Sequence, residues 1–132
     1  MEQQIKKKIL IVEDDGNMRT ALVYHFSSAG FNVLSAENGR IGLDLALKEI
    51  PDIILLDVMM PELDGVTVMN TLRKANDWGK NVPIIFLTSL FDDDDIMQGV
   101  PASERGNPEY SGFKDRLSLA DIVEKVKKRL EG

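Results

Sequence analysis

The sequence predicts a doubly wound α/β fold, on three observations. Strand-length apolar runs alternate with helix-period segments from end to end, the pattern that places helices on both faces of a parallel sheet. Three of those runs, Ile9-Leu10-Ile11-Val12, Ile53-Ile54-Leu55-Leu56 and Ile84-Ile85-Phe86-Leu87, are apolar at every position rather than every second one. Strands covered on both faces need that composition. Each run also stops at polar side chains capable of chemistry: Glu13-Asp14-Asp15, Asp57 and Thr88-Ser89. Ligands of open α/β sheets bind at the carboxyl edge of the strands, so Glu13, Asp14, Asp57 and Thr88 are predicted to surround one pocket.

The first strand covers about 8–13. A helix follows over about 17–29, with Met18, Leu22, Phe26 and Ala29 on one stripe and Gly30 as its stop. The second strand is Phe31 to Ser35. The second helix starts near Asn38, turns Ile41, Leu45 and Ala46 inward and ends before Pro51. Asp52 to Leu56 forms the third strand. Asp64-Gly65 opens the third helix, where Val68, Met69 and Leu72 share a face. Asp77 to Asn81 reads as a loop into the fourth strand, Val82 to Leu87. The acidic residues 92–95 start a short or irregular helix, their charge favoured at its N-terminus. Gly99, Pro101, Gly106 and Pro108 then make 99–109 mostly loop, and 110–113 a short fifth strand. The final helix is capped by Ser118 with Asp121 three residues on, and turns Leu119, Ile122, Val123, Val126 and Leu130 inward. With right-handed crossovers, these elements give the flavodoxin-like strand order 2-1-3-4-5. Strands 1, 3 and 4 are then neighbours, as a shared pocket requires.

The 132 residues fit one domain, 1–132, with a core that needs no staples. The absence of cysteine excludes disulfides and thiolate metal sites and suits a cytoplasmic location. The longest apolar runs are strand-length, so no membrane span is expected. A net charge of −6 argues against direct nucleic-acid binding. Basic residues gather at Lys6-Lys7-Lys8 and at Lys125, Lys127, Lys128 and Arg129. A solvated helix face, with cations near its C-terminus, accounts for the second group. Asp92 to Asp95 lack the spacing and the glycine of a calcium loop.

Carboxylates sharing a pocket repel. A pair about 4 Å apart costs on the order of 4 kcal/mol at an effective dielectric near 20, so such a site either protonates or holds a cation. Oxygen ligands with few carboxylates suit Mg2+, which keeps waters and bridges to phosphate. An aspartate at a strand tip beside a metal can attack phosphorus and become an aspartyl phosphate. Asp57 is the candidate, Thr88 a hydrogen-bond donor to the phosphoryl oxygens, and Lys114, the one lysine between Lys80 and Lys125, a cation to balance the added charge.

These residues resemble the receiver domains of two-component response regulators. The likeness begins with Ile9-Leu10-Ile11-Val12-Glu13-Asp14-Asp15 and Met18-Arg19, and continues through Ala36-Glu37-Asn38-Gly39. Its most specific stretches are Asp57-Val58-Met59-Met60-Pro61-Glu62-Leu63-Asp64-Gly65 and Val82-Pro83-Ile84-Ile85-Phe86-Leu87-Thr88-Ser89. The resemblance implies that Asp57 accepts a phosphoryl group from a sensor histidine kinase or a phosphotransfer protein. It implies that Glu13, Asp14, Asp57 and the backbone carbonyl of Met59 hold Mg2+, that Thr88 is the switch hydroxyl and that Lys114 pairs with phosphate. Phosphorylation would move a population between two conformations and so change binding to a downstream protein target.

The fifth-strand region departs from the family. Tyr110, the candidate aromatic switch, stands four residues before Lys114 rather than three, a shift that a β-bulge at Gly112 would restore. Asp115 replaces the usual proline, so no cis peptide is expected there. The chain ends soon after the last helix, which reads as a stand-alone receiver of undetermined oligomeric state. The alternatives are a receiver fragment of a longer, DNA-binding regulator and a non-switching pseudo-receiver interaction module. An aspartyl-phosphate phosphatase would place a second acid where Met59 stands, and a flavin site would be repelled by Glu13-Asp14-Asp15. The reading is therefore a phosphoacceptor rather than an enzyme.

Overall fold

The computed structural model describes residues 6–58, 60, 62–88, 110–113 and 118–131. Five strands form one parallel sheet: β1 (Lys8–Val12), β2 (Asn32–Ala36), β3 (Ile53–Asp57), β4 (Ile84–Thr88) and β5 (Tyr110–Phe113). Their order is β2-β1-β3-β4-β5, as the element sequence predicts. The helices are α1 (Gly16–Ser28), α2 (Gly39–Glu49), α3 (Gly65–Ala75), α4 (Asp77–Asn81) and α5 (Leu119–Glu131).

The uniform apolarity of the strands has a direct cause in the packing. Alternate residues of each strand leave opposite faces of the sheet, and both faces are covered. Leu10, Val12, Ile54, Leu56, Ile84 and Phe86 pack with Ala46 of α2 and with Val68, Met69 and Leu72 of α3. Ile9, Ile11, Ile53, Leu55, Ile85 and Leu87 pack with Leu22 and Phe26 of α1 and with Ile122, Val123 and Val126 of α5. A fully buried side chain of this size contributes about 1.5–3 kcal/mol relative to exposure. An alternating strand would leave one of these two layers empty.

The helix ends follow local chemistry. Asp15 caps α1 by accepting from the N–H groups of Asn17 and Met18. Gly30 ends that helix at φ +96°, and the Phe31 N–H reaches back to the Phe26 carbonyl at 3.1 Å. Asp64 caps α3 through the Thr67 N–H at 2.9 Å. At α5 the Asp121 N–H donates to Ser118 Oγ at 3.1 Å, and the Ser118 N–H to Asp121 Oδ2 at 3.3 Å. That is the reciprocal box the sequence predicts.

Two readings are corrected. Residues 77–81 form a one-turn helix rather than a loop, because Asn76 caps it by accepting from the Gly79 N–H at 2.7 Å. Gly79 is required by close packing on the Leu72 carbonyl, not by a turn. Ile41 does not face inward; it is 38% exposed. The inward position belongs to Gly42, where a Cβ would stand 2.8 Å from both Val12 methyl carbons. Glycine there lets α2 settle onto β1, and that contact sets the helix phase.

At β5, Tyr110 pairs with Phe86 and Phe113 with Thr88. Three steps along β5 match two along β4, so one extra residue is taken up across Ser111-Gly112. The bulge expected at Gly112 falls in this interval. The helix predicted from residues 92–95, the loop over 99–109 and the Lys114-Asp115 peptide lie outside the described residues.

Candidate functional site

Strand register brings the acids together. In the β1–β3 ladder Val12 pairs with Leu56, so the next positions along the two strands are Glu13 and Asp57. Neighbouring strands run about 4.8 Å apart, and Asp14 follows at the turn into α1. One carboxylate oxygen from each of Glu13, Asp14 and Asp57 lies within 4.8 Å of the others. Glu13 is fully buried, Asp57 is 2% exposed, and Asp14 is exposed. The cluster is therefore closed on the sheet side and open to solvent at Asp14.

The surrounding backbone is fixed by hydrogen bonds. The Glu13 N–H donates to the Ala36 carbonyl at 3.1 Å, which ties the site to β2. Glu13 Oε2 accepts from the Asp15 N–H at 3.1 Å. The Val58 N–H donates to the Leu87 carbonyl, and the Gly65 N–H to the Val58 carbonyl, each at 3.0 Å. These last two bonds tie the end of β3 to both β4 and α3. Thr88 is the final residue of β4, one position beyond Leu87, which pairs with Asp57. The backbone of Tyr110 opens β5 at the level of Phe86. Met59 and Lys114 lie outside the described residues.

The donor set fits a hard divalent cation. Two carboxylates removed from water beside each other, with a third at the rim, are costly unless positive charge compensates them. All three supply oxygen, the donor favoured by Mg2+ and Ca2+ over softer metals. The cluster could hold a metal ion at the carboxyl edge of the sheet, with Asp14 on the solvent side.

Arg19 is part of this arrangement and was missed by the sequence reading, which used it only as part of the family likeness. Its Nη1 donates to the Glu13 carbonyl at 2.9 Å and, more weakly, to the Asp14 carbonyl at 3.5 Å. An arginine in the first turn of a helix sits at the positive end of the macrodipole. That unfavourable placement was the signal available in the sequence.

The family model described as "Response regulator receiver domain" matches residues 9–106. The chain belongs to the response regulator receiver domain family. Among curated relatives, it is 39% identical over 110 residues to "Probable transcriptional regulator ycf27" of Guillardia theta, covering 83% of this chain and 41% of that protein. It is 38% identical over 102 residues to "Transcriptional regulatory protein AfsQ1" of Streptomyces coelicolor, covering 77% and 42%. This receiver chain thus spans about two-fifths of the length of the curated relatives it matches.

Solved receivers superpose on nearly the whole chain. The Francisella response regulator 1452 receiver domain gives a TM-score of 0.80 at 25% identity, covering 96% of this chain and 98% of that one. The BeF3-activated N-terminal receiver domain of Klebsiella pneumoniae RstA gives 0.77 at 27%, covering 95% and 99%. No helix among the described residues is long and apolar enough to cross a membrane.

Proposed function

We propose that this receiver is the phosphoacceptor of a two-component phosphorelay, with Asp57 as the acceptor. The observation that carries the reading is the convergence of Glu13, Asp14 and Asp57 within 4.8 Å at the carboxyl edge of the sheet. Glu13, Asp14 and Asp57, with the backbone carbonyl of Met59, would hold Mg2+. When bound, the ion neutralises the clustered carboxylates and the phosphoryl oxygens.

An Asp57 carboxylate oxygen attacks the phosphorus of a phosphohistidine on a sensor kinase or phosphotransfer protein. The P–O bond forms as the P–N bond breaks, and the imidazole leaves with the bonding electron pair. The Thr88 hydroxyl donates to a phosphoryl oxygen, and the Lys114 ammonium pairs with the added charge of about −1.5 to −2. Tyr110 serves as the aromatic switch. Phosphate favours one of two conformations and thereby shifts the affinity for a downstream protein target. Chemistry by the domain itself is confined to accepting phosphate from small donors and losing it to water.

Residues 1–132 act as one receiver domain. The relatives named as transcriptional regulators support a second reading, in which this receiver controls an output domain in a longer chain. The length of the full gene product decides between them. Beryllofluoride, a stand-in for the phosphoryl group, tests the site. Bound fluoride resonances in 19F NMR are expected with wild-type protein only when Mg2+ is present, and not with Asp57→Asn. Absence of bound fluoride from wild type in saturating Mg2+, or its retention by Asp57→Asn, would overturn the proposal.

A further inference from the structure

Building on the receiver reading of the acidic pocket, we propose that Arg19 is a positioning residue that pre-forms the Mg2+ site by gripping the backbone of the two residues that supply it. Residue 13 is held at three points: its N–H by the Ala36 carbonyl, its carbonyl by Arg19 Nη1 and its Oε2 by the Asp15 N–H. Residue 14 has its carbonyl within 3.5 Å of the same guanidinium nitrogen. Asp14 is the exposed member of the cluster, so it is the one with solvent to escape into. In the absence of a cation, its repulsion by Glu13 and Asp57 favours a turn that carries its carboxylate away. A guanidinium bonded to consecutive carbonyls opposes that rotation, and so lowers the reorganisation needed when an ion arrives.

The placement of Arg19 supports this role over a purely stabilising one. A cation at the start of α1 is disfavoured by the helix macrodipole, so helix stability does not account for it. Its anchor is the α1 N-terminus itself: the Arg19 N–H bonds the Asp15 carbonyl at 2.8 Å. Arg19 Nη2 would lie 3.8 Å from a Cβ built on Gly16, which places the guanidinium folded back over the helix start. Lysine is not equivalent, because its ammonium is a strongly hydrated point charge without the fixed N–H directions that aim Arg19 Nη1 at the two carbonyls.

Calorimetric Mg2+ titration of wild type, Arg19→Met and Arg19→Lys tests the proposal, with thermal midpoints recorded in metal-free buffer. Methionine keeps much of the aliphatic stem and removes the grip. Residues that hold metal ligands in place typically change affinity by about 10–100-fold. Arg19→Met is expected to raise the Mg2+ Kd about tenfold, at the lower end, and Arg19→Lys by an intermediate factor. A structural role alone would lower the midpoint and leave the Kd of the folded protein unchanged. An unchanged Kd in Arg19→Met, or in Arg19→Lys if the methionine variant does not fold, would overturn the inference. Failure of wild type itself to bind Mg2+ would overturn the receiver reading, and that arm contains no substitution.

Discussion

Gly65 lies against the backbone of Asp57 with no room for a side chain. A Cβ at Gly65 would collide with the Asp57 carbonyl oxygen and stand 3.1 Å from Val58 Cα. The start of α3 and the end of β3 therefore fix each other, through this contact and through the Gly65 N–H bond to the Val58 carbonyl at 3.0 Å. The candidate acceptor is set at the junction of a buried strand and a helix N-terminus.

Gly65→Ala is expected to destabilise the protein by about 1–3 kcal/mol, the range for forcing one extra carbon into a packed site. Because the atoms that must move belong to Asp57 and Val58, Mg2+ affinity should fall with stability. Urea unfolding and Mg2+ titration of one sample check both effects. A stability change within about 0.5 kcal/mol would show that α3 shifts aside freely.

Asp57→Asn removes one charge from three clustered carboxylates while keeping shape. In metal-free buffer the variant is expected to be more stable than wild type by on the order of 1 kcal/mol. Added Mg2+ reverses the ranking. At free Mg2+ about ten times its Kd, wild type gains about 1.4 kcal/mol, and the variant gains much less. Thermal midpoints with and without Mg2+ read this crossover. A wild-type midpoint indifferent to Mg2+ would contradict it.

Gly42 and Val12 should behave as a coupled pair. Gly42→Ala alone overpacks the Val12 methyl carbons, which a new Cβ would approach to 2.8 Å. The expected cost is about 1–3 kcal/mol. In a Val12→Ala background the methyl groups are gone and the second substitution should cost at least about 1 kcal/mol less. A double-mutant cycle in urea measures the coupling, and additive effects would show that the contact does not set the position of α2.

Ile50 ends α2 in the left-handed region at φ 48°, a conformation that a β-branched residue adopts only under strain. It is 55% exposed, so little packing would be lost on replacement. Ile50→Asn is expected to stabilise the protein by about 0.5–1 kcal/mol, because asparagine tolerates this region. Equilibrium unfolding is the check, and a loss of stability would mean that the Ile50 side chain contributes more than its exposure indicates.

The sheet was legible because burial on both faces leaves an unambiguous mark: every residue of β3 is buried, and every residue of its apolar run reads so. The meeting of Glu13, Asp14 and Asp57 was legible for the same reason, since parallel neighbouring strands end on one edge. The phase of α2 was not. Leu45 and Ala46 do face inward as read, but hydrophobic periodicity counts large side chains; it turned Ile41 inward and passed over Gly42, which is small enough to approach Val12 of β1. Residues 77–81 were misread because Asn76 and Gly79 carry turn chemistry that here serves a cap and a close packing contact. The grip of Arg19 was hidden because a lone arginine on a polar helix face reads as solvated.

The most direct test of the account is intact-mass analysis after incubation with acetyl phosphate, followed by mapping of the modified residue. Wild-type protein is predicted to gain one phosphoryl group only in the presence of Mg2+, with the modification on Asp57 and none on Asp57→Asn. Modification at another residue, or a gain of equal size without Mg2+, would contradict the claim that the converged carboxylates form an ion-dependent acceptor site.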